Sequence, residues 1–155
     1  MLHSAEGRFL TGIHVLLGVA VLASNALAAG WGALAWLRGV PSVWFWYLLR
    51  FAQATVVAEV AVGLVLLAQG ERPPDDLHYL YGIAPLLVTL VTEAMRFGAA
   101  QRELDEVEDV DALERREQVL LARRVVMREM AVMTVGALLI VTLALRAAAV
   151  NGGFV

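Results

Sequence analysis

The chain has 155 residues, of which 60% are hydrophobic and only 17% are charged, and its formal net charge is −3. Soluble domains have about 45–50% apolar and about 25% charged residues, so this composition favours a membrane protein. The absence of cysteine excludes disulfide bonds, thiolate metal sites and iron–sulfur clusters. The length is sufficient for one domain, and we expect residues 1–155 to form a single membrane domain.

Four segments are apolar and long enough to cross a bilayer, which takes about 20 residues of helix. They are residues 10–36, 43–67, 78–96 and 130–150. The sequence therefore predicts an all-α integral membrane protein, a four-transmembrane-helix bundle in contact with the lipid bilayer. Prolines and aspartates at residues 73–76 predict that the connection from Gly70 to Leu77 is a short outer turn, which ends the second segment and caps the third.

The arginines indicate an orientation. All 12 basic residues are arginine, which is typical of GC-rich bacteria, and nine of them flank the first and third connections. The positive-inside rule then places these two connections in the cytoplasm and both termini outside the cell. We expect a multi-pass protein of the bacterial inner (plasma) membrane.

The third connection, residues 97–129, carries nine acidic and six basic side chains and is too polar for the membrane. Apolar residues at three- and four-residue spacings predict a charged cytoplasmic helical hairpin that extends the third and fourth spans. The segment Asp111 to Glu114 is typical of a capping box, so we expect a helix to start there and continue into the fourth span. The hairpin is either a solvated spacer or a docking surface for a partner or neighbouring subunit.

Small and polar residues form one stripe on each of the first three spans. In lipid, small residues allow helices to approach and polar residues supply hydrogen bonds between them, so we expect the stripes to face one another. The stripe of the first span consists of His14, Gly18, Asn25 and Gly32. That of the second consists of Arg50, Gln53, Thr55, Glu59 and Gly63. That of the third consists of His78, Tyr81, Gly82, Pro85, Thr89, Thr92, Glu93 and Arg96.

Glu59 lies near the middle of the second span, where an ionised carboxylate costs several kcal/mol unless it is paired, hydrated or protonated. Its functional interpretations are a proton relay, a quinone or cation contact, or a bond to the second nitrogen of a ligand histidine. Its structural interpretation is an acid bonded to Asn25, Gln53 or Thr89. Arg50 and Glu93 lie at similar depth near the inner face, which predicts a structural salt bridge.

Two histidines occur in matching motifs, His14 with Gly18 (HVLLG) and His78 with Gly82 (HYLYG). Each motif opens a span that enters the bilayer from the same side, so the two imidazoles should lie at similar depth. Neutral imidazoles on facing helices can bind haem iron axially, and a glycine one turn away lets the flat macrocycle lie against the backbone. Tyr81 lies on the same face and is positioned to bond a propionate.

These paired motifs in a four-helix bundle resemble the small b-type membrane cytochromes, such as the b561-like group, and one half of haem A synthase. The resemblance covers the two motifs and the topology, and it implies axial ligation of one haem b by His14 and His78. Many b561-like proteins hold two haems with four histidines, whereas this chain supplies ligands for one.

The predicted function is a one-haem membrane protein for electron transfer or haem handling near the outer leaflet. The alternatives are a cofactor-free accessory or assembly subunit of a larger membrane complex, and a small transporter or channel that uses Glu59, as a homodimer. Motifs of soluble catalysis are absent, which favours an electron-transfer or accessory protein over an enzyme. Carboxylates outnumber arginines in the hairpin, which argues against nucleic-acid binding.

Overall fold

The structure is a computed structural model that describes residues 2–72 and 77–150, with side chains at residues 7–72 and 77–149. It contains four helices, α1 (Leu2–Leu37), α2 (Val43–Ala68), α3 (Leu77–Asp105) and α4 (Arg115–Val150). All four are long and apolar enough to cross a membrane. The predicted all-α, four-helix architecture is therefore confirmed. The ends of the predicted turn from Gly70 to Leu77 are described, with α2 ending at Ala68 and α3 beginning at Leu77, whereas residues 73–76 lie outside the described residues.

A tight turn joins α1 to α2. Gly39 has a φ of 61°, a left-handed conformation that favours glycine, and the amide of Val40 donates to the carbonyl of Ala35 to close the end of α1. Ser42 then caps α2, because its hydroxyl accepts the amide of Phe45 at 3.4 Å. The indole of Trp31 donates to the same hydroxyl at 2.9 Å, which holds the end of α1 against the start of α2.

The helix start predicted at Asp111 is wrong, because α4 begins at Arg115. The carboxylate of Asp109 accepts the backbone amides of Asp111 and Ala112, at 2.9 and 3.3 Å, and keeps these residues in a turn. The carboxylate of Glu117 accepts the amide of Glu114 at 3.2 Å, so half of a capping box forms three residues later than predicted. From there α4 continues without a break into the predicted fourth span.

The helices form an antiparallel bundle in which α4 has two main neighbours and also contacts α2 across the core. It packs against α1 and α3, while α1 also packs against α2. The contact between α2 and α3 is the loosest of the four sides. Within the described residues the backbones of α1 and α3 do not approach closely, so these two helices lie on opposite sides of the bundle. We call the end where α1 and α3 begin the terminal end, and the end near the connection between α3 and α4 the hairpin end.

Two glycines bring α4 close to both of its neighbours. A Cβ atom at Gly32 of α1 would overlap Thr134 Oγ1 of α4 and would lie 2.6 Å from the ring of Phe45. A Cβ atom at Gly136 of α4 would lie 2.6 Å from the methyl group of Thr92 on α3. Only glycine permits these approaches, and α4 therefore lies deep between α1 and α3.

The residues at the hairpin end form the largest buried cluster. It contains Ala35, Phe45, Leu49, Met130 and Met133. Phe45, Met130 and Met133 are at most 1% exposed, so the two methionines of α4 serve here as core packing residues.

We expect the substitution Gly32→Ala to destabilise the protein, because the new methyl group overpacks the contact among α1, α2 and α4. Overpacking of this kind costs about 1–3 kcal/mol. The measurement is thermal unfolding in detergent, followed by circular dichroism.

The matched control is Gly30→Ala on the same helix, where a Cβ atom would meet nothing within 4 Å. This variant should be as stable as the parent or slightly more stable, because alanine favours helix over glycine by about 0.5–1 kcal/mol. Equal melting temperatures for the two variants would show that the close approach at Gly32 does not determine the packing.

Candidate functional site

A cavity of about 250 Å³ lies at the terminal end of the bundle, and all four helices line it. Its walls are mostly apolar, and its polar groups come from the first three helices. These groups are His14 of α1, Glu59 of α2, and His78 and Tyr81 of α3. The fourth wall consists of small residues of α4, namely Ala144, Ala147 and Ala148.

The structure brings the two histidines together across this cavity. The ring centroids of His14 and His78 are 5.8 Å apart, and the ring planes are inclined by 60°. Each imidazole is partly buried, and they come from α1 and α3, the two helices that face each other across the bundle. The pair therefore depends on the packing of all four helices.

Glu59 contacts His14 from the second helix. Its Oε1 atom lies 3.2 Å from His14 Nδ1, an ion-pair distance, although the two groups are not aligned as a hydrogen bond. The Oε2 atom of Glu59 is buried and has no hydrogen-bond partner in the part of the chain that the structure describes. Of the alternatives for Glu59, the geometry therefore favours contact with the second nitrogen of a histidine.

The structural alternative for Glu59 is not found, because its expected partners bond elsewhere. Asn25 donates to the carbonyl of Val21 at 2.9 Å, and Thr89 donates to the carbonyl of Pro85 at 2.8 Å. Gln53 precedes Glu59 by six residues on α2 and so lies nearer the hairpin end, where it donates to Glu93.

The two glycines of the histidine motifs have different surroundings. A Cβ atom at Gly18 would lie 3.3 Å from Glu59 Oε1, so the carboxylate occupies the space that we expected a macrocycle to use. A Cβ atom at Gly82 would meet nothing within 4 Å, and this side of the cavity is open. Gly18 therefore makes room for Glu59, whereas Gly82 leaves room for a ligand.

Sequence reasoning did not assign a role at the cavity to Gly63 or to the alanines of α4. A Cβ atom at Gly63 would lie 3.4 Å from His14 Cε1, so this glycine allows the imidazole to lie against α2. Gly63 follows Glu59 by four residues, the same spacing as between histidine and glycine in the two motifs. This repetition is a sequence signal that could have placed Gly63 at the site. Ala144, Ala147 and Ala148 have helical spacing, but alanine is too common in helices to indicate a cavity.

A second polar cluster lies at the hairpin end, around Glu93. Arg50 Nη1 donates to Glu93 Oε1 at 2.6 Å, which forms the predicted ion pair, and Gln53 donates to the same oxygen at 2.8 Å. Arg96 Nε donates to the other carboxylate oxygen at 3.0 Å, and its Nη1 atom lies 3.6 Å from Glu129 Oε1 of α4. Every charged group of this cluster has an opposite charge nearby, so the cluster links α2, α3 and α4.

Among the residues that the structure describes, no group of three or more His, Asp or Glu could enclose a metal ion. No protein-family model, curated protein or solved structure matches the chain. The likeness to b561-like cytochromes and haem A synthase therefore stays a prediction.

We expect Glu93→Gln to destabilise the bundle, because it removes the charge that Arg50 and Arg96 share. Hydrogen bonds to charged groups contribute about 1.5–3 kcal/mol, and the partial exposure of Arg50 places this loss toward the lower value. The same change at exposed Glu106 should leave the melting temperature unaltered. A Glu93→Gln protein that melts with the parent would contradict a linking role for the cluster.

Proposed function

We propose that the four helices cross a bacterial inner membrane, with the hairpin end in the cytoplasm and the terminal end outside. The support is the length and apolar character of each helix, together with the nine arginines that flank the two connections at the hairpin end. The large apolar side chains on the outside of the helices, such as Leu16, Phe51 and Leu90, are then covered by lipid.

We further propose that the cavity binds one b-type haem, with His14 and His78 as the axial ligands. The main support is that two histidines 64 positions apart in the sequence lie in one mostly apolar cavity, with their ring centroids 5.8 Å apart. Two imidazole nitrogens that share one metal ion at roughly 2 Å each would place the ring centroids roughly 6 Å apart. A bound haem would supply one-electron transfer.

The contact between Glu59 and His14 supports the same assignment. Metal-binding histidines almost always use their other ring nitrogen to bond a carboxylate, a carbonyl or water, which fixes the orientation of the ring. Glu59 lies on the Nδ1 side of His14, so Nε2 is the nitrogen available for iron. In this role Glu59 is a positioning residue for His14.

Room for the macrocycle comes from the loosest side of the bundle. Ligand pockets for small molecules measure about 300–1,000 Å³, so a cavity of about 250 Å³ must widen to hold a porphyrin. Gly82 has open space at its Cβ position, and α2 and α3 make the fewest contacts of any neighbouring pair that encloses the cavity. Widening between these two helices breaks fewer contacts than a movement of α4.

We expect the protein purified in mild detergent to carry haem, or to bind added haem, with a Soret band and the reduced spectrum of a six-coordinate b-type cytochrome. His14→Ala and His78→Ala should each abolish the six-coordinate spectrum, because each removes one axial ligand. The measurement is the oxidised and dithionite-reduced absorption spectrum.

The control is His3→Ala, a change of the remaining histidine in the sequence, which should leave the spectrum unchanged. Colourless protein that does not bind added haem would overturn the haem assignment. A full spectrum in either cavity variant would show that the iron binds elsewhere.

A second candidate function, proton or cation transport, is favoured by the buried and unpartnered Oε2 atom of Glu59. Intramembrane acids commonly serve as proton relays or ion sites. For this function we expect Glu59→Gln to abolish ion-coupled flux into liposomes, because the amide cannot be ionised. The matched variant Glu93→Gln should retain flux in the fraction that remains folded, and equal flux in the Glu59→Gln protein would exclude the transport function.

A further inference from the structure

An apolar groove of about 700 Å³ lies on the outer face of α4, in the half of the bundle near the hairpin end. Residues of α4, including Ala131 and Val135, form its floor. Trp36 of α1 and Met95 of α3 lie on its two sides. Trp36, Met95 and Val135 are each more than half exposed, so the groove opens away from the bundle core.

The groove results from the depth at which α4 is packed. Gly32 and Gly136 allow α4 to approach α1 and α3 more closely than side chains with a Cβ atom would permit. The two outer helices therefore stand above the surface of α4 and form walls on either side of it. The two contacts lie on the flanks of α4, and the stripe that contains Ala131 and Val135 lies between them.

The length of the groove corresponds to one leaflet of a bilayer. At 1.5 Å per residue, the floor of the groove rises about 12 Å from Ala131 to Leu139, and Arg128 extends this distance by about 4.5 Å toward the hairpin end. The hydrocarbon core of a bilayer is about 30 Å thick, so each leaflet contributes about half of it. A lipid acyl chain in one leaflet therefore has about the length of the groove.

Two arginines continue the floor of the groove toward the hairpin end. Successive spacings of four, three and four residues separate Arg124, Arg128, Ala131 and Val135. These spacings place all four side chains on one face of α4. Both arginines contact Glu103 of α3 through Nε, at 3.4 and 2.8 Å.

Glu103, Arg124 and Arg128 together carry one positive charge in excess. Glu103 is only 6% exposed, whereas the side chains of Arg124 and Arg128 are 59% and 69% exposed. The buried carboxylate thus orients two guanidinium groups whose outer parts remain accessible to an anion. Guanidinium groups bind phosphate oxygens in a bidentate manner, and basic groups beside a membrane span attract anionic lipids.

We propose that this groove binds one phospholipid with an anionic headgroup. The phosphate contacts Arg124 and Arg128, and one acyl chain lies on Ala131 and Val135 between the walls of α1 and α3. The proposal is independent of haem binding, but it rests on the membrane insertion proposed above.

The test is native mass spectrometry of the purified protein, titrated with phosphatidylglycerol or with phosphatidylcholine of identical acyl chains. We expect the parent to prefer phosphatidylglycerol. In the variant Glu103→Gln/Arg124→Gln/Arg128→Gln, the affinity for phosphatidylglycerol should fall roughly tenfold while that for phosphatidylcholine stays the same. The triple change removes the ion pairs together and leaves no buried carboxylate without a partner.

A second variant tests the acyl-chain site without changing charge. Val135→Trp should weaken binding of both lipids, because the indole fills the groove. Its matched control is Leu145→Trp, at a similarly exposed position of α4 beyond the groove. The control for the arginines is Arg115→Gln/Arg116→Gln, at the exposed start of α4.

Equal binding of the two lipids by the parent, or an unchanged preference in the triple variant, would overturn the proposal. Loss of a dimer in the Val135→Trp protein, with no retained lipid in the parent, would instead identify the groove as an interface between copies. Failure of membrane insertion is detected separately, because alkaline carbonate would then release the expressed protein from membranes.

Discussion

The close approach of α4 to both of its neighbours is the constraint on which the rest of the structure depends. Apolar helices in lipid gain no hydrophobic free energy from each other, so their arrangement is decided by how closely backbones can approach. Gly32 and Gly136 each permit an approach that a Cβ atom would block, one on each flank of α4. With α4 held between α1 and α3, these two helices face each other across the bundle. That arrangement places His14 opposite His78, and it also forms the groove on the outer face of α4.

The polar groups at the two ends of the bundle differ in how far they are satisfied. Around Glu93, both carboxylate oxygens accept hydrogen bonds, and the charges lie in a connected set. Around Glu59, one oxygen contacts His14 and the other has no partner in the described chain. A buried polar group without a partner costs free energy, and such a cost is tolerated where a ligand or a proton completes the site. This contrast is the physical reason for a structural role of the cluster around Glu93 and for the proposed binding role of the site around Glu59.

The failures of sequence reasoning have local physical causes. The segment Asp111 to Glu114 has the pattern of a capping box, but the carboxylate of Asp109 accepts the backbone amides of Asp111 and Ala112 and holds these residues in a turn. Glu59 has several potential partners at similar depth. Which of them it contacts depends on the rotation of α2 relative to α1, and sequence periodicity does not report that rotation. For the same reason, Gly18 makes room for a side chain and not for the predicted macrocycle. The space above it is used by a carboxylate from another helix.

The sequence by itself determined the number of helices and the approximate limits of their apolar spans, because these follow from apolar runs. It also determined which face of each helix carries small and polar groups, and it identified the two histidine motifs. Only the tertiary structure decided that His14 meets both Glu59 and His78, that α2 and α3 form the loosest side, and that an apolar groove lies in line with Arg124 and Arg128. Those features depend on the rotation and depth of whole helices, and several weak contacts far apart in the chain determine them together.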